Sequence, residues 1–375
     1  MLWTVFLAVP FMIAIQLVSA RIGRQSGRGI AANLRMHAPK WLLFCIVALL
    51  AANTINIAAD LAEMGEAVRL VVGGGAHLHA VALGVVTLLL QVFVPYHRLA
   101  PILKWLTLFV YVAAAFTVKV PWPQVLHDLV VPQLSASWAF WMMIVAILGT
   151  TISPYLFFWQ ASQEVEEMRQ HGLTAGAESR QTLTRAKRRM RLNTVVGMVF
   201  SNGIAFFVML MGAVVLNAGG VTDVRSAAQA AQALRPLAGD AAFALFSFGI
   251  IATGLLAVPV LASSAASAVA EAFGWPEGLE RHWREAKGFY AIIGFATIIG
   301  TGLHFTPIDP MKALYWSAVI NGVVAVPIMV AMMVLSANPA VEGRLPVRRK
   351  TRAPGWGAVA LIAVAVAMMG RDLLR

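Results

Sequence analysis

Ten separate apolar stretches run through this chain, each about as long as a bilayer is thick, and they restrict the folds open to it. A helix needs roughly 20 mostly apolar residues to cross the hydrocarbon core. The stretches lie near residues 1–20, 41–69, 78–95, 102–120, 137–160, 193–217, 240–270, 288–303, 313–336 and 354–370. Because a backbone inside a membrane must satisfy its own hydrogen bonds, the pattern predicts an all-α integral membrane protein with about ten transmembrane helices.

The composition excludes soluble and disordered classes of protein. Of the 375 residues, 59% are hydrophobic and 12% are charged, against about 45–50% and about 25% in soluble domains. No stretch between the apolar segments is long enough for a soluble domain, so we expect one transmembrane domain over residues 1–375. The single cysteine excludes an internal disulfide, and no catalytic triad, phosphate-binding glycine loop or His/Cys metal motif is present. We therefore predict neither an enzyme nor a bound cofactor.

The net charge of +12 is a signal of membrane orientation. When the loops are assigned alternately to the two sides of the membrane, 22 of the 29 Lys and Arg residues fall on one side. Cytoplasmic loops carry this excess in membrane proteins. The chain is thus predicted to be a multi-pass protein of the inner (plasma) membrane, with the lipid bilayer as its partner and no role in nucleic-acid binding.

The same orientation places Met1 outside the cell, although no basic residue precedes Arg21 to hold an end in the cytoplasm. A cleaved signal peptide is one explanation, but the positive n-region is absent and Pro10 interrupts the apolar run. A missing upstream helix is the simpler one, and we expect it.

The second apolar segment carries the densest set of polar groups. At about 100° per residue, Asn53, Asn56, Asp60 and Glu63 fall within about 80° of one another on one helix face. Ionisable side chains at membrane depth are costly and often functional. Asp60 and Glu63 are therefore either part of a proton or ion path, or a buried hydrogen-bonded pair that fixes helix packing. The two asparagines, with Asn321 of the ninth segment, are candidates for lining the same cavity.

The fifth segment contains a predicted break. Its apolar run gives way at residues 149–155 to glycine, threonine, serine and proline, and Pro154 removes an amide donor and opposes the preceding helical turn. Broken helices in transporters present freed carbonyls to substrates and ions. An ordinary proline kink fits the same residues, and the sequence leaves both interpretations open.

Three stretches together resemble the NRAMP family of divalent metal transporters, and more closely its bacterial NRAMP-like branch. They are residues 53–63, 149–161 and 308–322. The resemblance extends from residue 1 to about residue 370. It implies a LeuT-like fold of two inverted five-helix repeats, with helices one and six broken, and usually an eleventh helix.

Aligned in this way, residues 1–121 correspond to an incomplete first repeat, helices two to five. Residues 137–336 correspond to the second repeat, helices six to ten, and residues 354–370 to the additional C-terminal helix. The family's helix one, with its Asp-Pro-Gly-Asn type motif and metal-binding carboxylate, has no counterpart in this sequence.

The resemblance also implies roles for individual residues. Thr150 matches the position whose backbone carbonyl binds metal, Ser153 matches the metal-binding methionine of a Met-Pro-His motif, and Tyr155 stands in place of its histidine. A hydroxyl in place of a thioether removes the soft ligand that favours transition metals, so Mn²⁺, Fe²⁺ and Mg²⁺ all remain candidate substrates. Asp60 and Glu63 match an acidic pair implicated in proton movement, whereas the accompanying helix-nine arginines have no counterpart in residues 289–302.

These observations predict a secondary transporter of divalent metal cations that works by alternating access, with protons as a possible second substrate. Two alternatives stay open. One is a LeuT-like carrier of amino acids or other organic solutes, and the other is a truncated, non-transporting membrane protein.

Overall fold

Helices make up nearly all of the chain that the structure describes, and that part contains no strand. The structure, a computed structural model, describes residues 1–37, 39–94, 103, 105, 107, 120–213, 227–279, 281–303, 305–306, 309–343, 347 and 349–373. In chain order the helices are α1 (Trp3–Ser26), α2 (Ile30–His37), α3 (Pro39–Val72), α4 (Ala76–Phe93), α5 (Trp122–Val130), α6 (Trp138–Thr151), α7 (Pro154–Gln170), α8 (Arg180–Met211), α9 (Ala227–Phe273), α10 (Lys287–Leu303), α11 (Pro310–Leu335), α12 (Pro339–Glu342) and α13 (Arg349–Leu373).

Within the described ranges, eight spans are long and apolar enough to cross a membrane, with α6 and α7 together forming one of them. Helix α10, at 17 residues, is about 26 Å long at 1.5 Å per residue. These nine elements match nine of the ten predicted stretches. The remaining stretch, near residues 102–120, lies largely outside the described residues. The prediction of an all-α membrane protein is confirmed.

The helix ends follow local sequence signals. Ser137 and Ser179 cap α6 and α8 by accepting the backbone N–H groups of Phe140 and Thr182. Asp309 accepts two N–H groups at the start of α11, just before a proline at the first helical position. Such side-chain acceptors satisfy donors that have no partner inside the helix.

Helix α8 begins 13 residues before the apolar stretch predicted at residues 193–217. The additional turns contain the basic run from Arg185 to Arg191, so hydropathy alone did not locate the helix start. The Ser179 cap allows the helix to begin in the polar region and then enter the membrane.

The buried side chains form two main clusters that share two half-buried residues, Tyr155 and Ile292. One cluster joins mainly α1, α6, α7, α11 and α13, and the second joins α3, α9 and α10. Tyr155, in the first turn of α7, packs against both clusters. We call the surface between them the seam; the predicted site residues lie along it.

Candidate functional site

The fifth apolar segment is broken into two helices, where the sequence left a break and an ordinary proline kink both open. Helix α6 ends at Thr151 and α7 begins at Pro154. Between them, Ile152 has φ −109° and ψ 59°, and Ser153 has φ −82° and ψ 137°, which are not helical values. The last carbonyls of α6 therefore lack the amide donors that a continuous helix would supply.

Ser153 satisfies two of these carbonyls. Its hydroxyl donates to the carbonyl oxygens of Gly149, at 2.5 Å, and Thr150, at 2.7 Å, and the residue is completely buried. The Thr150 side chain is exposed, and its own hydroxyl donates to the Ala146 carbonyl. Two backbone oxygens and one hydroxyl oxygen thus converge at the C-terminal end of α6, where the helix dipole favours positive charge.

Two neighbouring helices hold α7 in place through its backbone. Ser264 of α9 donates to the Tyr155 carbonyl at 2.6 Å, and Ser19 of α1 donates to the Phe157 carbonyl at 2.5 Å. Farther along, Arg24 of α1 forms a buried ion pair with Glu164 at 3.7 Å. These contacts fix the first turns of α7 against both clusters.

The predicted polar face of α3 divides between two partners. Asn53 donates its amide to the Leu261 carbonyl of α9 at 2.9 Å, whereas the Asn56 side-chain oxygen accepts from the Ser317 hydroxyl of α11. Both asparagines are buried. They form hydrogen bonds between helices, and a role in lining a transport cavity stays a prediction.

Asp60 and Glu63 lie farther along the same face and close to the break. Asp60 is half-buried and Glu63 is 5% exposed, and their charges interact. Tyr155 lies near enough to Asp60 for an electrostatic interaction and within hydrogen-bonding reach of Ser153. The structure therefore places Tyr155 near Ser153 and Asp60, and Asp60 near Glu63; their joint role in transport stays a prediction.

Asn321 lies on α11, beside the closest backbone contact to α6. It is 2% exposed, and its side-chain oxygen has no hydrogen-bond partner among the described residues. The adjacent Gly322 packs against the Val145 backbone, and Gly149 packs against the backbone of Ala318 and Gly322. Glycine at 149 and 322 allows the two helices to approach this closely.

Sequence reasoning did not identify the serines that support the site. Ser264 belongs to a run of small residues at 263–267 that reads as a helix-packing surface, and Ser317 precedes Asn321 by one helical turn. The available sequence signal for these serines was their spacing on the faces of α9 and α11. Their hydrogen-bond partners, the Tyr155 carbonyl and the Asn56 side chain, lie far away in the sequence.

A second group of charged residues lies where α7 and α9 end, outside the predicted site. Glu271 accepts the Ser162 hydroxyl at 2.8 Å and the Ala32 amide at 3.2 Å. In the loop after α9, burial raises the pKa of Glu277 well above its ordinary value of 4.5, and the nearby Glu271 and Glu166 raise it further. Arg169 and a hydrogen bond from Ser267 act in the opposite direction without cancelling the rise.

The oxygen atoms at the break are the ligands available to a cation. Backbone carbonyl and hydroxyl oxygens are hard ligands of the kind that suit Mg²⁺, Ca²⁺ and Mn²⁺. Within the described part of the chain, no group of three or more His, Cys, Asp and Glu side chains converges as a metal site.

Comparisons with known proteins agree with the resemblance seen in the sequence. The sequence model of a family described as natural resistance-associated macrophage protein-like matches residues 1–370. Two relatives, from two strains of Klebsiella pneumoniae, are each named divalent metal cation transporter MntH. Each is 26% identical over 377 residues, an alignment covering 96% of this chain and 84% of the relative.

Solved structures show the same fold. A manganese transporter of Eremococcus coleocola, in complex with an aromatic bis-isothiourea substituted compound, superposes with a TM-score of 0.75 at 16% identity. The match covers 97% of this chain and 78% of that one. A mutant of the same transporter gives a TM-score of 0.73 with the same coverage. The prediction of a LeuT-like fold is confirmed, while the division into two inverted repeats stays a prediction.

Proposed function

Because this chain belongs to the natural resistance-associated macrophage protein-like family, we propose that it is a multi-pass carrier that moves divalent metal cations across the plasma membrane. The relatives from Klebsiella pneumoniae are named for this activity. Transport proceeds by alternating access, with the two packing clusters moving against each other along the seam.

One observation carries the proposal, namely the polar residues that lie along the seam beside a broken helix. Ser153 and Tyr155 belong to the break, and Asp60 and Glu63 belong to α3 in the other cluster. Polar residues between two packing clusters are suited to a substrate that must be exposed first to one side and then to the other. Non-helical backbone at membrane depth occurs where it is buried in protein or lines a wet cavity.

In this proposal the Thr150 carbonyl and the Ser153 hydroxyl bind the cation, with Tyr155 beside it. The two oxygens are 2.7 Å apart. Adjacent ligands of an octahedral ion with metal–oxygen distances of about 2.1 Å lie about 3 Å apart. A cation therefore takes both oxygens with little movement, and it replaces the hydrogen bond that now joins them.

Selectivity follows from the chemistry of these donors. Hydroxyl and carbonyl oxygens do not discriminate strongly in favour of Mn²⁺ or Fe²⁺, because that preference comes from softer ligands such as a thioether. The site accepts Mg²⁺ alongside Mn²⁺ or Fe²⁺, and the metal is the substrate rather than a resident cofactor.

Asp60 and Glu63 provide the proton route of the proposal. Carboxyl groups at membrane depth form the proton relays of pumps and transporters. Tyr155 connects this acidic pair to the oxygens that bind the cation. Movement of a proton is thereby linked to whether a cation occupies the break.

The experiment measures uptake of Mn²⁺, Cd²⁺ and Mg²⁺ into vesicles that contain the purified chain. Ser153→Met should raise Mn²⁺ and Cd²⁺ uptake relative to Mg²⁺, because it adds a soft sulfur ligand at the break. Thr151→Met is the matched control, since the Thr151 hydroxyl donates to the Ile147 and Leu148 carbonyls, farther from the break, and is not a proposed ligand. It should leave the ranking of metals unchanged.

An unchanged ranking in a folded Ser153→Met variant would remove Ser153 from the site. Inhibition of uptake by amino acids would instead favour a LeuT-like carrier of organic solutes. A chain that gains no thermal stability from any divalent metal, and moves none, would be a non-transporting membrane protein.

A further inference from the structure

A groove on the outside of the bundle lies apart from the transport path. Helix α1 forms its floor, and α8 and α13, which both pack on α1, form its walls. Its volume is about 410 Å³. We call it the basic groove, and its lining residues are Pro10, Ile13, Ala14, Leu17, Arg21, Lys187, Met190, Arg191, Val195, Lys350, Thr351 and Pro354.

One end of the basic groove is strongly positive. Four basic side chains line it, and its described lining contains no acidic residue. They come from three elements that are distant in sequence: Arg21 from α1, Lys187 and Arg191 from α8, and Lys350 from α13. The excess of basic residues in these three segments predicts that the positive end faces the cytoplasm.

The rest of the basic groove is apolar and has the length of one leaflet. Pro10, Ile13, Ala14 and Leu17 recur every three or four residues along one face of α1. From Pro10 to Arg21 the helix rises by about 16 Å at 1.5 Å per residue, and half of a hydrocarbon core of about 30 Å is about 15 Å. A charged group at Arg21 and an alkyl chain reaching Pro10 therefore match one leaflet in depth.

The two helices that form the walls also expose apolar side chains next to the groove lining, on the surface of the bundle. On α8, Leu192 is 61% exposed and Val199 is 52% exposed. On α13, Val364 is 57% exposed. A lipid molecule is thus able to enter the basic groove sideways from the bilayer.

We propose that the basic groove binds one anionic phospholipid of the cytoplasmic leaflet. Its phosphate lies among Arg21, Lys187, Arg191 and Lys350, and an acyl chain runs along the apolar face of α1. Basic pockets between transmembrane helices on this side bind anionic lipid head groups in other proteins. The bound lipid joins α8 and α13 across α1. This inference does not depend on the proposed transport activity.

The test titrates the detergent-purified full chain with dioleoyl-phosphatidylglycerol and dioleoyl-phosphatidylcholine, using native mass spectrometry to measure occupancy. The double variant Arg191→Gln with Lys350→Gln removes two charges from the groove. The control, Arg185→Gln with Arg188→Gln, removes two exposed charges from the same cytoplasmic segment of α8 that do not line the groove. Basic residues near a membrane surface contribute about fivefold each to anionic-lipid affinity, so the groove variant should weaken phosphatidylglycerol binding about 25-fold.

The proposal expects three further results. The control should bind phosphatidylglycerol as the unmodified chain does, phosphatidylcholine should bind much more weakly, and the short-chain dihexanoyl-phosphatidylglycerol should compete poorly. Equal losses in both double variants would overturn the proposal, because binding would then follow total charge. Displacement of the lipid by inorganic phosphate at similar concentrations would also overturn it, because the groove would then be a site for free anions.

Discussion

The backbone contact between α6 and α11 provides the sharpest test of the geometry at the break. A Cβ added at Gly149 would lie against the carbonyl oxygen of Ala318 and 2.5 Å from the amide nitrogen of Gly322. Both obstacles are backbone atoms, so neither can rotate away as a flexible side chain would. Gly149→Ala therefore forces the two helices apart.

The size of the effect follows from two opposing terms. Overpacking a well-packed contact costs about 1–3 kcal/mol, and backbone obstacles place this site in the upper half of that range. Replacing glycine by alanine inside a helix returns about 1 kcal/mol. We expect a net loss of about 1–2 kcal/mol in the free energy of unfolding.

Gly203→Ala is the matched control, because the same substitution in α8 meets no atom within 4 Å. It should stabilise the protein by up to about 1 kcal/mol. Thermal unfolding of the detergent-purified variants, followed by tryptophan fluorescence, measures the difference. The two substitutions should thus shift the unfolding temperature in opposite directions, and Gly149→Ala should also slow metal uptake because it moves the α6 carbonyls. If Gly149→Ala proves as stable as Gly203→Ala, the close contact between α6 and α11 does not exist.

Two further predictions concern protons. Asp60→Asn should flatten the pH dependence of metal uptake into vesicles, and an unaltered pH profile would remove Asp60 from the proton route. Because the pKa of Glu277 in the folded protein is raised above its ordinary value of 4.5, its contribution to stability is complete below about pH 4.5 and is lost as the pH rises through the folded-state value. Glu277→Gln should therefore reduce the loss of thermal stability between pH 5 and pH 8. The control Glu285→Gln, at an exposed position in the same loop, should leave that loss unchanged. Equal pH profiles for the Glu277 variant and the unmodified chain would contradict this reasoning.

The sequence predicted the helices well because membrane insertion imposes a simple rule on composition. Apolar length located most spans within a few residues, and the proline at 154 located the break. Hydropathy did not find the start of α8, since the turns before residue 193 are amphipathic: Leu183, Ala186 and Met190 are buried, while basic residues occupy the neighbouring positions. An amphipathic extension of this kind has helical periodicity but a lower mean hydropathy than a membrane span.

The candidate site was only partly predictable. Periodicity placed Asn53, Asn56 and the acidic pair on one face of α3, but it did not show that the two asparagines bond to different helices. The division depends on Leu261 and Ser317, which lie more than 200 residues away in the sequence. Contacts over such separations are set by helix packing, which a single sequence does not encode locally.

The basic segments show the same limit of prediction from a single sequence. Their charge predicted the orientation of the chain, and the structure brings basic residues of three helices together in one groove between α1, α8 and α13. Charge counting gives the sign of a membrane face, whereas the arrangement of charges around an apolar channel depends on the three-dimensional packing.

We propose that this chain moves divalent cations through the break between α6 and α7. The most direct measurement is the initial rate of Mn²⁺ entry into vesicles that contain the purified protein, compared with vesicles that contain the Ser153→Ala variant and with protein-free vesicles. We predict uptake well above the protein-free rate for the unmodified chain and a loss of about tenfold or more for Ser153→Ala, since a lost ligand worth about 1.4 kcal/mol changes binding tenfold. Uptake at the protein-free rate would contradict transport, and equal uptake by the two forms of the protein would contradict the site.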